Sequence, residues 1–178
     1  MWYIIPVTLP SERQEPRMTE QLEIRWSRAE DMPALTALNN RIWDETNSPH
    51  VAPMTEAEYA ERHPTGAELV AVVGEALAGF VIFRTASPMK SHAHVAELAI
   101  AVNPEFQGLG VGRKLVEAAC AEAKAQGKRK LSLRVMSTNE KAIAFYKKLG
   151  FQEQGRLVEE FYAGGRYVDD ILMYKMLT

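Results

Sequence analysis

"NPEFQGLGVGRKL", residues 103–115, decides how this chain is read. Asn103-Pro104 closes one element, Gly108, Gly110 and Gly112 expose bare backbone, and strong helix formers follow from Arg113 onward. Backbone N–H groups at the positive end of a helix form a ready place for an anion. Two familiar phosphate loops fail here. A Walker loop needs Gly-Lys-Ser/Thr at its end, whereas Gly112 is followed by Arg113 and Lys114. A dinucleotide fingerprint needs Gly-x-Gly-x-x-Gly, and the last glycine here arrives one residue early. What remains is Gln107-x-x-Gly110-x-Gly112 between a strand and a helix. It reads as a grip for a diphosphate without a metal, or as a plain glycine-rich turn.

Working outward, the 178 residues fit one domain with a full core of its own. Apolar residues make up 47% and charged residues 25%, as in a soluble globular protein, and a net charge of −2 gives no basic field for nucleic acid. The single cysteine, Cys120, precludes an internal disulfide and suits a reducing cytoplasm. The apolar run Trp2–Val7 is too short to span a membrane and lacks the charged leader of a secretory signal, so no membrane association is expected. Residues 1–20 read as a poorly ordered tail before a single domain over 21–178, with Met18 an alternative start.

The periodicities give the elements. "LEIRWS" (Leu22–Ser27) alternates as a half-buried strand, and Leu35, Leu38 and Ile42 recur at helical spacing with Pro33 in the first turn. "TEAEYAERH" predicts a short second helix. "AELVAVVGEALAGFVIFR" predicts two strands turning at Gly74-Glu75, and "VAELAIAV" (Val95–Val102) a third. A helix then runs to about Gln126, stopped by Gly127. "KLSLRV" predicts a strand, "NEKAIAFYKKLG" a helix, and the remainder two long strands turning at Gly164-Gly165. The order β-α-α-β-β-β-α-β-α-β-β argues for an α+β fold rather than a purely parallel sheet.

"LAIAVNPEFQGLGVGRKLVEAACAEAKAQG" resembles the central motif of the GNAT superfamily of N-acetyltransferases, Gln/Arg-x-x-Gly-x-Gly/Ala. "LSLRVMSTNEKAIAFYKKLGF" is similar to the block that follows it: strand, Asn, helix, Tyr, Gly-Phe. Two blocks in order are far more specific than either alone, and the likeness extends from Leu22 to the C-terminus, weakest over the first two helices. It implies a mixed, mostly antiparallel sheet of about seven strands flanked by about four helices. It also implies acetyl-CoA or another acyl-CoA as cofactor, with the pyrophosphate on the backbone N–H groups of Gln107, Gly108, Leu109, Gly110, Val111, Gly112 and Arg113. The pantetheine arm pairs with Ile100, Ala101 and Val102 where two strands splay, and Asn139 binds the amide or phosphate region. Asn139 is equally a simple helix N-cap.

The chemistry such a site performs needs a base for an amine and an acid for a departing thiolate. By the resemblance, Tyr146 is that acid; a phenol of pKa about 10 facing a thiol of about 8.5 serves mainly by hydrogen bonding to developing charge. The alternative for Tyr146 is plain packing beside Ile143 and Leu149. Glu97 interrupts an apolar run on the face it shares with Ala99 and Ala101, and is the candidate base through a water; its alternative is a carboxylate at an exposed strand end. A backbone N–H near Ala101 or Val102 is the expected oxyanion donor. Arg134 stands where the ribosomal-protein alanine acetyltransferases carry a catalytic glutamate, which argues against copying their mechanism.

His92 and His94 lack further metal ligands nearby and read as a solvated loop, so no metal is expected. Cys120 reads as packing rather than a nucleophile. Of Glu159-Glu160 and Asp169-Asp170, alternation sends one of each pair toward an acceptor pocket and the other to water. Trp43, Asp44 and "TNSPHVAPM" fall where the family covers its acceptor. The reading is direct acetyl transfer from acetyl-CoA to a primary amine, with a small-molecule amine as partner and a homodimer left open. The alternatives are a protein N-terminal acetyltransferase and a non-catalytic acyl-CoA sensor.

Overall fold

A computed structural model describes residues 21–44, 48 and 52–177. The expected tail and most of the loop after Asp44 lie outside the described residues. Seven strands form one sheet in the order β1-β2-β3-β4-β5-β7-β6. They are β1 (Leu22–Trp26), β2 (Glu68–Val73), β3 (Ala76–Thr85), β4 (Val95–Val102), β5 (Lys130–Met136), β6 (Gln152–Ala163) and β7 (Arg166–Met176). The helices are α1 (Met32–Ile42), α2 (Glu56–Arg62), α3 (Val111–Ala125) and α4 (Glu140–Lys148). Every neighbouring pair is antiparallel except β4 and β5. The α+β expectation and its element order stand.

Local chemistry sets the boundaries. Pro33 sits in the first turn of α1, where its missing N–H costs nothing. Thr55 and Glu58 cap α2 reciprocally: the Thr55 hydroxyl accepts from Glu58 N, and the Glu58 carboxylate accepts from Thr55 N at 2.8 Å. Gly127 and Gly150 adopt positive φ just past α3 and α4.

The sheet separates two unequal cores. On one face α3 and α4 cover a large cluster that includes Leu98, Leu115, Val116, Leu131, Leu133, Val135, Tyr146, Ile171 and Met173. On the other, α1 and α2 cover Met32, Leu35, Leu38, Tyr59, Val70, Phe80 and Ala101. At about 25 cal/mol per Å² of apolar surface removed from water, both clusters drive folding, the larger one more. Beneath α2 lies a buried polar group. Tyr59 Oη donates to Glu68 Oε1 at 2.8 Å, His63 Nδ1 lies 3.1 Å from the same oxygen, and the two rings stack at 4.6 Å. Arg25 grips Asp31 with two parallel hydrogen bonds of 2.7 and 2.9 Å, which ties β1 to the turn that opens α1.

Among the described residues no helix is long and apolar enough to cross a membrane. His92 lies in a short 3-10 turn and is half-buried, with the exposed His94 ring edge-on at 6.3 Å, in a largely exposed connection between β3 and β4.

Candidate active site

Strands β4 and β5 pair only at Val95–Lys130, Ala96–Leu131 and Glu97–Ser132, although β4 continues to Val102 and β5 to Met136. Beyond Glu97 the two strands part, and β4 keeps its other neighbour, pairing with β3 through Val102. The edge of β4 that faces β5 is therefore left open from Leu98 to Val102. An open cleft of about 620 Å³ fills the gap. An extended chain carrying amide groups can join such an edge as an added strand.

The glycine turn closes one end of this cleft. Gln107, Gly108, Gly110, Val111, Gly112 and Arg113 all line it. Gly110 is the N-cap of α3 at φ 80°, a left-handed conformation that disfavours side chains, and no side chain caps the helix there. The helical ladder is joined at Lys114, whose N–H reaches Gly110 O at 3.1 Å. The N–H groups just before it lie in the part of a helix that lacks internal partners. Gly112 has a different reason. A Cβ there would meet Phe145 Cζ at 3.1 Å and Val102 Cγ2 at 3.3 Å, so this glycine lets α3 approach α4 and β4. Asn103 anchors the turn: its side chain donates to Leu77 O (3.1 Å) and accepts from Arg41 Nη2 (2.7 Å).

Helix α4 supplies the opposite wall with Asn139, Lys141, Ala142, Phe145 and Tyr146. Asn139 Oδ1 accepts from Ala142 N at 3.2 Å, so the residue is an N-cap and a lining residue together. Tyr146 is 8% exposed, packed against Phe145 and Phe151, and also lines the cleft. Burial pushes its phenol well above the ordinary value, so it stays protonated throughout the physiological range. It holds a proton and cannot serve as a base. Burial likewise raises the Cys120 thiol, which keeps it from being a ready nucleophile.

Ile100, Ala101 and Val102 line the cleft. Glu97 and Leu109 are not among the lining residues. Glu97 sits half-buried at the vertex where the strands part, and Leu109 is half exposed on the outer side of the turn. The acidic pairs also fall differently. Neither Asp169 nor Asp170 lines the cleft. Asp170 is buried and accepts from Arg134 Nε, while Asp169 accepts from Arg156 Nη1 (3.0 Å) and from the backbone N–H of Glu159 (2.9 Å). Those bonds hold a bulge in β6 where Glu159 takes φ 52°. Asp169 is thus a structural clamp rather than a wet surface acid, and its partners keep its carboxyl below the usual range.

The cleft is also lined by residues outside the predicted set, among them Leu98, Phe106, Val135, Lys141 and Phe145. Arg134 enters the cleft wall from β5, and Ile42 joins Trp43 at the end of α1. The alternation of β5 could have flagged Arg134. Nothing local announced that Asp170 would lie across from it. Among the described residues no group of three or more potential metal ligands occurs.

Residues 32–151, more than half of the chain, match the model of the acetyltransferase (GNAT) family. The chain belongs to the GNAT family. Members of this family take acetyl-CoA as their acyl donor, and the open β4 edge, the glycine turn and the cations Arg113 and Lys141 fit that molecule's amide arm and phosphates. Over 80 residues the chain is 41% identical to a spermidine N(1)-acetyltransferase of Vibrio cholerae, covering 44% of this chain and 46% of that protein. The chain thus spans about half the length of that relative. An L-amino acid N-acyltransferase of Escherichia coli is 24% identical over 165 residues, 88% of this GNAT chain and 94% of the relative. A solved structure, smu.2055 from Streptococcus mutans, superposes with a TM-score of 0.82 at 30% identity, covering 88% of this chain and 99% of the other.

Proposed function

We propose that this GNAT protein is an N-acetyltransferase that moves an acetyl group from acetyl-CoA directly to the primary amine of a small molecule. The observation that carries the reading is the parting of β4 from β5 after Glu97, directly in front of the glycine-led N-terminus of α3. Acetyl-CoA, when bound, supplies an activated thioester. Gln107 to Arg113 would hold its diphosphate, Ile100 to Val102 its amide arm, and the Asn139 carboxamide nitrogen its amide or phosphate region. Tyr146 keeps a proton on its hydroxyl at the wall of the cleft and donates it toward sulfur as negative charge develops there. Glu97 at the vertex reaches the acceptor amine only through water.

A distant base suits a weakly basic amine. A group of pKa about 7.7–8.0 is partly neutral near physiological pH, whereas a lysine-like amine near 10.4 costs on the order of 4 kcal/mol to deprotonate. The small-molecule reading is supported by the long relative that acts on L-amino acids. Two measurements test the proposal together: calorimetric titration with acetyl-CoA, and an acceptor screen that follows release of free CoA thiol. Tight cofactor binding with thiol release on small amines is expected. Release only with peptides, or with no acceptor at all, sinks it.

A further inference from the structure

Resting on the acetyl-transfer reading, we propose that Arg134 is the specificity-determining residue of the acceptor half of the cleft. There it receives the carboxylate of an α-amino acid whose amine is to be acetylated. Leu133 and Val135 belong to the core beneath α3 and α4, so Arg134 projects to the opposite face of the sheet, the face of α1, Ala99 and Ala101. The glycine turn, Arg113, Asn139, Lys141 and Tyr146 belong to α3 and α4 and their approaches. Ile42, Trp43, Ala99 and Arg134 therefore form the wall facing away from the cofactor elements. Arg134 brings a guanidinium to that wall, paired from below with Asp170, and its side chain is 47% exposed.

Its mooring fits the role. Nε donates to Asp170 at 2.5 Å, and Asp170 is 2% exposed, so the stem of the guanidinium is fixed from below. The fork at the other end meets Glu160, whose Oε1 lies 3.7 Å from Nη2. That separation exceeds a hydrogen bond, and Glu160 stands on the exposed bulge of β6. A carboxylate thus already approaches the outer edge of Arg134 loosely, and one delivered into the cleft can replace it with parallel bonds. Asp170 is the positioning residue. The pairing also assists chemistry: a substrate carboxylate favours its neighbouring ammonium, and neutralising that carboxylate with a guanidinium returns more of the amine to its reactive neutral form.

The test uses the full-length protein and a matched trio: L-methionine, L-methioninamide and 3-(methylthio)propylamine. Wild-type protein is expected to favour methionine by kcat/KM. Arg134→Gln should raise the KM for methionine at least about tenfold while shifting the other two by less than about twofold. Arg134→Lys, which keeps the charge and loses the fork, should fall between. Because Arg134→Gln leaves Asp170 buried without its cation, Arg134→Gln/Asp170→Asn is measured beside it and should show the same selectivity loss. Calorimetry gives a readout independent of turnover. Heat from methionine added to the CoA-saturated protein should vanish in both variants, with acetyl-CoA affinity unchanged. A uniform loss across the trio, a weakened acetyl-CoA affinity, or a preference of wild type for spermidine overturns the assignment. Turnover of all three acceptors alike defeats only the carboxylate inference. Absence of thiol release with any amine defeats the transfer reading, while the methionine titration still decides Arg134.

Discussion

The two faces of the sheet are built by different means. The face under α3 and α4 is a large apolar cluster crossed by the cleft, and most of its cleft residues come in two short runs, 106–113 and 139–146, with Leu98, Ile100, Val102 and Val135 added from β4 and β5. The face under α1 and α2 is a smaller cluster with a buried Tyr59–Glu68–His63 group. Its cleft residues are scattered: Ile42 and Trp43 from a helix end, Ala99 and Ala101 from β4, Arg134 from β5 held by Asp170 of β7. One wall is local in sequence and the other is assembled across the sheet. On the proposed reading the local wall would hold the cofactor and the assembled wall would select the acceptor.

Truncating the centre of each core sets the scale. Leu115 and Leu35 are both fully buried, and Leu→Ala at such sites costs about 2–5 kcal/mol. Leu115→Ala, within the larger cluster, is expected at the upper end of that range and Leu35→Ala at the lower, as read by urea midpoints. The reverse order would break the contrast. Next in size is the glycine turn. Gly112→Ala drives a Cβ against Phe145 and Val102 and is expected to lower stability by about 1–3 kcal/mol and to weaken acetyl-CoA binding. Gly110→Ala meets open space and incurs only the left-handed backbone cost of about 1–2 kcal/mol. No loss of stability in Gly112→Ala would remove the packing role given to Gly112.

Tyr146→Phe sharpens the chemical side. Loss of the hydroxyl should leave acetyl-CoA affinity nearly intact and lower turnover at least about tenfold, about 1.4 kcal/mol of activation energy. An unchanged rate would reduce Tyr146 to a packing residue between Phe145 and Phe151. The smallest effect belongs to the α1 side. The hydrogen bonds from Arg25, with the Arg28 backbone N–H, hold the Asp31 carboxyl below the usual range. A depressed folded-state pKa contributes stability that is present above the unfolded value of about 3.9 and lost as pH falls through the folded one. Acid titration of Asp31→Asn should therefore lose part of its stability slope below about pH 4 and match the parent's steepness less closely. Identical slopes would count against the pair.

Much of this was legible from residues alone, and the reasons are physical. Pro33, Gly127 and Gly150 mark helix ends because capping is satisfied within four residues, and the strand ends at Asn103-Pro104 for the same local reason. Gln107-x-x-Gly110-x-Gly112 was legible because a helix N-terminus is made by consecutive backbone groups. Gly112 was seen but its cause was not, since Phe145 stands thirty-three positions later and packs there only in the folded chain. The acidic pair 169–170 was likewise seen without its partners, Arg134 and Arg156, which belong to other strands.

By itself the sequence determined the elements, their order and the glycine turn before α3, because hydrogen bonding, capping and periodicity act over a few residues. Tertiary structure alone decided where β4 and β5 part, which acid is buried beneath Arg134 and which clamps the β6 bulge. Register across a sheet joins residues tens of positions apart, and a carboxylate's role depends on the face and neighbour that register gives it.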